Sequence, residues 1–300
     1  MKYNLSNIKK AKIILDKHDC VAIPTETVYG LAANAYSDKA VKKIFKLKRR
    51  PVYNPLIVHY FNLKDLKRDC LINKDFLKLF KKFGPGPITY VLKLKKNSKI
   101  SQIVTNKKNT LAVRFPKHTI SRKLLKLLDY PLAAPSANIS TKVSSVNYQN
   151  VKEDFGKKLK FILNGGRSSI GVESTIISLV NKPILLRLGG IEPSKIKKTL
   201  NKNINLKLNK SNISSPGQMK LHYSPGLPIR LNINIPKKNE AYLLVKKNKK
   251  FKKNVYHLSK NGNLKEAAKN LYIILRKIKK DRFKSIAVEK IKDIGIGKTI

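Results

Sequence analysis

The stretch IPTETVYGLAANA, Ile23 to Ala35, decides how this chain is read. The apolar run before it, Cys20–Ile23 (CVAI), has the β-branched character of a buried strand, and Pro24 ends that strand because it lacks a backbone donor. Two threonines, a glutamate and a tyrosine then stand ahead of Gly30. Ligands bind beyond strand ends in open α/β sheets, so Thr25 to Gly30 can be a loop that holds hydroxyls and a carboxylate toward a substrate. It can also be a strand-to-helix turn with Thr25 or Thr27 as N-cap, and alone these residues favour the turn.

Outward from that stretch, apolar spacing predicts helices over Asn7–His18, Asp38–Lys48 (with Asp38 as N-cap), Asp75–Phe83 and Ser121–Leu128. Strands are predicted over Leu56–His59, Ile88–Leu94, Leu111–Phe115, Pro131–Ala134, Ser174–Val180 and Ile184–Leu188. This mixture describes an α/β domain over residues 1–200. Leu200–Leu221 is polar and rich in Asn and Ser, which makes residues 201–229 a linker. Residues 230–300 follow as a smaller α/β domain. Its expected strands are Pro228–Ile233, Ala241–Val245, Asn254–Leu258 and Ser285–Val288, around one helix, Leu264–Ile278.

Three hundred residues suit two domains, and 41% hydrophobic content supplies a sizeable core. No segment has the roughly 18 unbroken apolar residues of a membrane span, and the first residues lack a signal-peptide pattern, so a cytoplasmic protein without membrane attachment is expected. Cys20 and Cys70 are far apart and have neither CxxC spacing nor a nearby His, so no metal site or redox pair is expected. The formal charge is +49, and such a basic surface attracts nucleic acid, ATP or pyrophosphate. Both predicted domains are basic and Lys, Asn and Ile recur throughout, which favours a compositional origin. Gly295–Thr299 (GIGKT) ends like a phosphate-binding loop, but Lys292 occupies the position of that motif's first Gly, and the match is rejected.

Four further stretches cluster polar residues where apolar strands end. In Lys48–His59 (KRRPVYNPLIVH), Lys48 and Arg50 flank a rigid turn, as a solvated basic helix end or as a grip on a triphosphate. In Ala133–Ser140 (AAPSANIS), an extended backbone would put Ser136 and Asn138 on one side, able to bond an anion together; the other reading is an Asx or Ser turn. Asn164–Thr175 (NGGRSSIGVEST) is a Gly-rich loop that ends at Glu173 and Ser174. Arg114, in LAVRFP, ends an apolar strand and suits either a core carboxylate or the carboxylate of a small molecule.

Together these stretches resemble the threonylcarbamoyl-AMP synthases built on a YrdC-like domain, in their long two-domain form. The resemblance runs from about Ser6 to Ile300 through PTETVYGL at Pro24, KxRP at Lys48, NPL at Asn54, PGPxT at Pro85, VRFP at Val113, APSAN at Ala134, ESTI at Glu173, RxG at Arg187 and SPGQMKLHYSP at Ser215. It implies a twisted mixed-sheet domain followed by a Rossmann-like C-terminal domain. It also implies condensation of L-threonine, bicarbonate and ATP into an adenylate, with Mg²⁺ carried by the phosphates, for a downstream transferase that modifies tRNA beside the anticodon. By similarity, Thr25, His59, Arg114, Ala134 and Ser174 would surround threonine. Arg50, Asn54, Thr110, Ser136, Asn138, Ser144, Arg187 and Tyr223 would line the ATP site, with Tyr223 as part of a lid. Lys48 and Arg50 would neutralise charge in the transfer, from a solvated cleft. The chain ends at GIGKTI where family members continue through a short helix, so the second domain is expected to be trimmed or frayed there. The rival reading is a YrdC-like protein that binds double-stranded RNA or tRNA and has no synthase activity; weak RNA binding is compatible with either.

Overall fold

The chain after Pro24 does not become a helix. The computed structural model describes residues 5–207, 223–248 and 253–300, so Ser215–His222 of the linker motif lies outside the described residues. The first part runs α1 (Leu5–Asp16), β1 (Val21–Ile23), β2 (Gly30–Asn34), α2 (Asp38–Lys48), β3 (Ile57–His59), α3 (Leu63–Asp69), α4 (Lys74–Phe83), β4 (Ile88–Lys93), α5 (Gln102–Thr105), β5 (Thr110–Arg114), α6 (Thr119–Lys126), β6 (Leu132–Ala133), α7 (Tyr148–Phe155), β7 (Thr175–Ser178), β8 (Ile184–Arg187), α8 (Pro193–Leu200) and β9 (Asn205–Leu206). The second part runs β10 (Ile229–Arg230), β11 (Glu240–Lys246), β12 (Val255–Ser259), α9 (Leu264–Lys280) and β13 (Ser285–Val288).

β2 corrects the expected strand-to-helix turn. It pairs antiparallel with β1 in the register Ile23↔Gly30, and Leu31, Ala32 and Ala33 are fully buried between the helices on both faces. GLAAN has little strand propensity of its own, and its small side chains fit a crowded central position, so tertiary context overrides propensity. A second correction is the cap of α2: Ser37, not Asp38, is the N-cap, and its side chain accepts the Ala40 N–H.

The nine strands order β1-β2-β6-β3-β5-β4-β7-β8-β9, with β3–β5, β4–β7 and β8–β9 parallel and the other pairs antiparallel. One face carries the large core. There Val58, Val113, Tyr90 and Ile177 pack with Val41 and Ile44 of α2, Phe76 and Leu79 of α4, and Ile196 and Leu200 of α8. On the other face, α1 and α6 cover the β1–β2–β6 end through Ile8, Leu15, Leu124 and Leu125. Further along that face Ile57, Val91, Ala112, Ile176 and Leu186 form a separate small cluster. Because side chains alternate along a strand, His59 shares this face with Ile57, and Arg114 shares it with Thr110 and Ala112.

The second sheet is parallel throughout, in the order β10-β13-β11-β12. Its core is joint with the first part: Leu243, Leu258 and Ile286 pack with Leu271, Tyr272 and Leu275 of α9 and with Val28, Val143, Val146 and Val172. At the chain end a 3-10 turn, Gly295–Lys298, packs against α9, and Ile296 and Ile300 join the same core.

Candidate active site

The strand ends and the loops that cross them enclose a pocket of about 480 Å³, counting its open mouth. Thr25, His59, Arg114, Ala134 and Ser174 line it, and so do Arg50, Ser136, Arg187 and Tyr223. The loop Thr25–Gly30 is held from within. The Thr25 hydroxyl donates to the Val28 carbonyl (2.5 Å) and accepts the Thr27 and Val28 N–H groups, as an N-cap would, but the chain then turns back into β2. The Gly-rich loop supports it from outside. Ser168 donates to the Thr25 carbonyl, Ile170 N–H to the Glu26 carbonyl, and the Tyr29 hydroxyl joins Gly165 and Gly166.

Arg114 has a core partner, Glu26, at 2.7 Å, and a second contact from Nη2 to the Thr25 hydroxyl at 3.5 Å. Glu26 also accepts the Lys117 N–H, and although burial opposes its charge, the Arg114 guanidinium holds its carboxyl below the usual carboxylate range. The carboxylate of the loop therefore orients Arg114 instead of facing the cavity. Arg114 Nε and His59 Nδ1 are buried and have no hydrogen-bond partner among the described residues. Burial, with the Arg114 charge beside it, pushes the His59 pKa well below the imidazole range, so the ring is neutral.

Ser174 and Arg187 meet because two chain segments cross at close range. Arg187 Nε donates to the Ser174 carbonyl and Nη2 to its hydroxyl, both at 3.0 Å, and Ser174 also bonds Thr89 at 2.8 Å. A register shift between Ile176 and Ile177 re-aims the end of β8. Gly189 makes the crossing possible, since a Cβ there would stand 2.4 Å from the Ser174 carbonyl carbon.

The expected solvated cleft around Lys48 and Arg50 is absent: Lys48 is 1% and Arg50 8% exposed. The Lys48 ammonium donates to the Ser136 and Asn138 carbonyls, both at 2.5 Å, and lies behind the pocket wall. Burial and the nearby Arg50 charge push its pKa well down. Arg50 does reach the cavity, anchored to the Asn54 and Pro55 carbonyls, and burial lowers its pKa to about 10.

Ser136 and Asn138 do not share a side. The backbone is not extended there, because the Asn138 N–H donates to the Ser136 carbonyl; the Asn138 amide instead ties the Ile139 and Lys142 carbonyls. Ser144 donates to Glu173, which lines the pocket. Thr110 begins the strand that Arg114 ends, roughly 13 Å away at the usual strand rise, on the side of Asn54 and Arg50. Sequence reading missed the supporting role of these residues. Glu26 and Tyr29 lay inside the quoted motif, whereas Tyr272, which donates to Glu173 from α9, gave no local signal.

Three guanidiniums, Arg50, Arg114 and Arg187, and one carboxylate, Glu173, face the cavity, a balance that suits an anion carrying several charges. The wall presents too few carboxylates for a protein cage around a metal, and among the described residues no group of three His, Cys, Asp or Glu side chains is placed to hold one. Such a wall fits an ion that arrives already bound by phosphates.

Residues 13–189 match the family model described as "Telomere recombination", which covers Sua5, YciO and YrdC. Residues 191–300 match the one described as "Threonylcarbamoyl-AMP synthase, C-terminal domain". A threonylcarbamoyl-AMP synthase of Pyrococcus abyssi is 36% identical over 299 residues, covering 92% of this chain and 86% of that one. Its Bacillus subtilis counterpart is 33% identical over 317 residues, covering 99% and 91%. The crystal structure of P. abyssi Sua5 complexed with L-threonine superposes with a TM-score of 0.92 at 32% identity, covering 100% of this chain and 93% of that one.

Proposed function

The chain belongs to the threonylcarbamoyl-AMP synthase family in its long, two-domain form, and from that premise we propose that it condenses L-threonine, bicarbonate and ATP into L-threonylcarbamoyladenylate and pyrophosphate. The observation that carries this reading is the convergence of Thr25, His59, Arg114, Ala134 and Ser174 on a single pocket. Threonine lies among these residues, its carboxylate on Arg114, whose buried Nε needs an acceptor. His59 is neutral and adds no charge to the site. ATP runs along the strand face toward Arg50, Asn54 and Thr110, with Arg50 and Arg187 on its phosphates.

Bicarbonate loses hydroxide to give CO₂, threonine's amine adds to it with a new N–C bond, and the proton the amine gives up leaves with that hydroxide as water. A carbamate oxygen then attacks the α-phosphorus, the new P–O bond replacing the one to the departing pyrophosphate. Such a transfer depends on alignment and charge neutralisation more than on a strong base. Mg²⁺ bound by the phosphates supplies part of that neutralisation. Lys48 contributes by fixing the Ser136–Asn138 backbone that borders the cavity. Tyr223, within the 201–229 segment, closes over the nucleotide and keeps water from the labile adenylate.

The adenylate is the substrate of a tRNA threonylcarbamoyl transferase, a partner in the cytoplasm. No helix among the described residues is long and apolar enough to cross a membrane. The reading as an RNA-binding protein without synthase activity is not favoured, because relatives matching nearly the whole chain bear the synthase name.

The test is pyrophosphate release from ATP and bicarbonate with L-threonine, without it, or with L-serine. Threonine-dependent release is the expected outcome. A folded protein that releases none under any of these conditions overturns the reading.

A further inference from the structure

Helix α9 of the second part carries Tyr272 and Arg276 one turn apart, hence on one face. The Tyr272 hydroxyl donates to Glu173 Oε2, and the Ser144 hydroxyl takes the other carboxylate oxygen. The Tyr272 ring also stacks on Tyr223, with centroids 5.8 Å apart and 21° between planes. Tyr223 stands at φ +58, which is costly for a non-glycine residue and persists only where the surroundings fix it; its hydroxyl accepts from Arg187 at 3.3 Å. Arg276 Nη2 donates to the Val143 carbonyl (2.7 Å), the Ser145 hydroxyl (3.1 Å) and Asp154 Oδ2 (2.5 Å). The residues on both sides of Ser144 are therefore fixed from α9. The helix sits close enough to do this because Gly171, at φ +81, has no side chain: a Cβ there would stand 2.5 Å from Lys269 Cα.

We propose that Tyr272 and Arg276 are positioning residues for the nucleotide half of the pocket, acting through Ser144, Glu173 and Tyr223. The proposal rests on the synthase reading above, which closes Tyr223 over the nucleotide, and on the family resemblance, which gives Ser144 to ATP. Glu173 is buried, so each of its oxygens needs a donor, and without the Tyr272 hydroxyl the carboxylate is free to turn and draw Ser144 with it. Arg276 reaches the Val143 carbonyl and the Ser145 hydroxyl through Nη2 and holds Asp154 through both Nη1 (3.4 Å) and Nη2, a two-nitrogen grip on the carboxylate that a lysine's single ammonium cannot reproduce. Among the threonine residues, Arg114 is fixed by Glu26 and Thr25 by its own loop, without α9; only Ser174, held by Arg187, adjoins the Glu173 unit.

The test compares full-length wild type, Tyr272→Phe, Arg276→Lys and the double variant. It measures ATP and L-threonine affinities by titration, and KM and kcat by pyrophosphate release. Tyr272→Phe keeps the stacked ring and removes one oxygen, and it raises the ATP Kd and KM about tenfold while the threonine constants stay within about twofold. Arg276→Lys acts in the same direction. The double variant loses less than the product of the single losses, because both act on one Ser144–Glu173 unit. Unchanged ATP constants in Tyr272→Phe, or equal losses for ATP and threonine, overturn the proposal. Tyr272→Phe alone decides the matter if the Arg276 variant fails to fold. A wild type that binds ATP but releases no pyrophosphate overturns the synthase reading, while the ATP affinity of Tyr272→Phe still judges the positioning role.

Discussion

At the end of α2 the Lys48 ammonium is donated to the backbone carbonyls of Ser136 and Asn138, in surroundings that exclude water. A lysine so placed links two chain segments 88 residues or more apart, and its contribution to stability cannot be separated from its contribution to the site. Lys48→Ala leaves the Asn138 carbonyl without this donor and the Ser136 carbonyl with only the Asn138 N–H, at a cost of about 1–3 kcal/mol for the unsatisfied group. We expect the urea midpoint to fall along with pyrophosphate release. An unchanged midpoint would mean that water reaches the Asn138 carbonyl and that Lys48 has no structural role. Arg50 has the same KxR motif but meets the cavity directly, anchored through only two carbonyls.

Elements meet at the site through backbone as much as through side chains. The end of β8 crosses the start of β7 so closely that Gly189 has no room for a methyl group, and the Gly190 N–H donates to the Glu173 carbonyl at 2.9 Å. Gly189→Ala must push Arg187 and Ser174 apart. The expected result is a loss of about 1–3 kcal/mol, as in other overpacked sites, together with weaker binding of both threonine and ATP. Thermal melting and the two KM values check it, and a variant with normal KM values would show that the crossing can relax. This pattern differs from that of Tyr272→Phe, which is expected to spare threonine.

For the whole molecule, the two parts share a core. Val28, Val143, Val146 and Val172 belong to the first part, yet they are buried with side chains of α9 and the second sheet. A chain stopped after Leu206 uncovers them beside the pocket and removes the donors to Glu173 and to the Ser144 loop. The shortened protein is expected to bind a hydrophobic dye, aggregate more readily than the full chain at equal salt, and hold ATP less tightly. A monomeric fragment with full ATP affinity would show that the second part contributes nothing to the nucleotide site.

Local pattern sufficed for most of the architecture. Apolar spacing located α1, α2, α4, α6 and α9 and most of the central strands, because burial imposes a period that does not depend on the neighbour's identity. The quoted motifs also named Thr25, His59, Arg114, Ala134 and Ser174, which line one pocket, since those side chains sit at strand ends and turns where sequence marks the break. Tertiary structure alone decided that Gly30–Asn34 is a strand, because its small side chains have value only between two packed faces. It alone buried Lys48 and turned Asn138 away from Ser136. The link from Tyr272 to Glu173 spans 99 residues and joins two separately patterned parts of the chain, so no local spacing encodes it. Sequence periodicity reports which residues avoid water, whereas the partner that each buried polar atom finds is fixed only when distant segments pack.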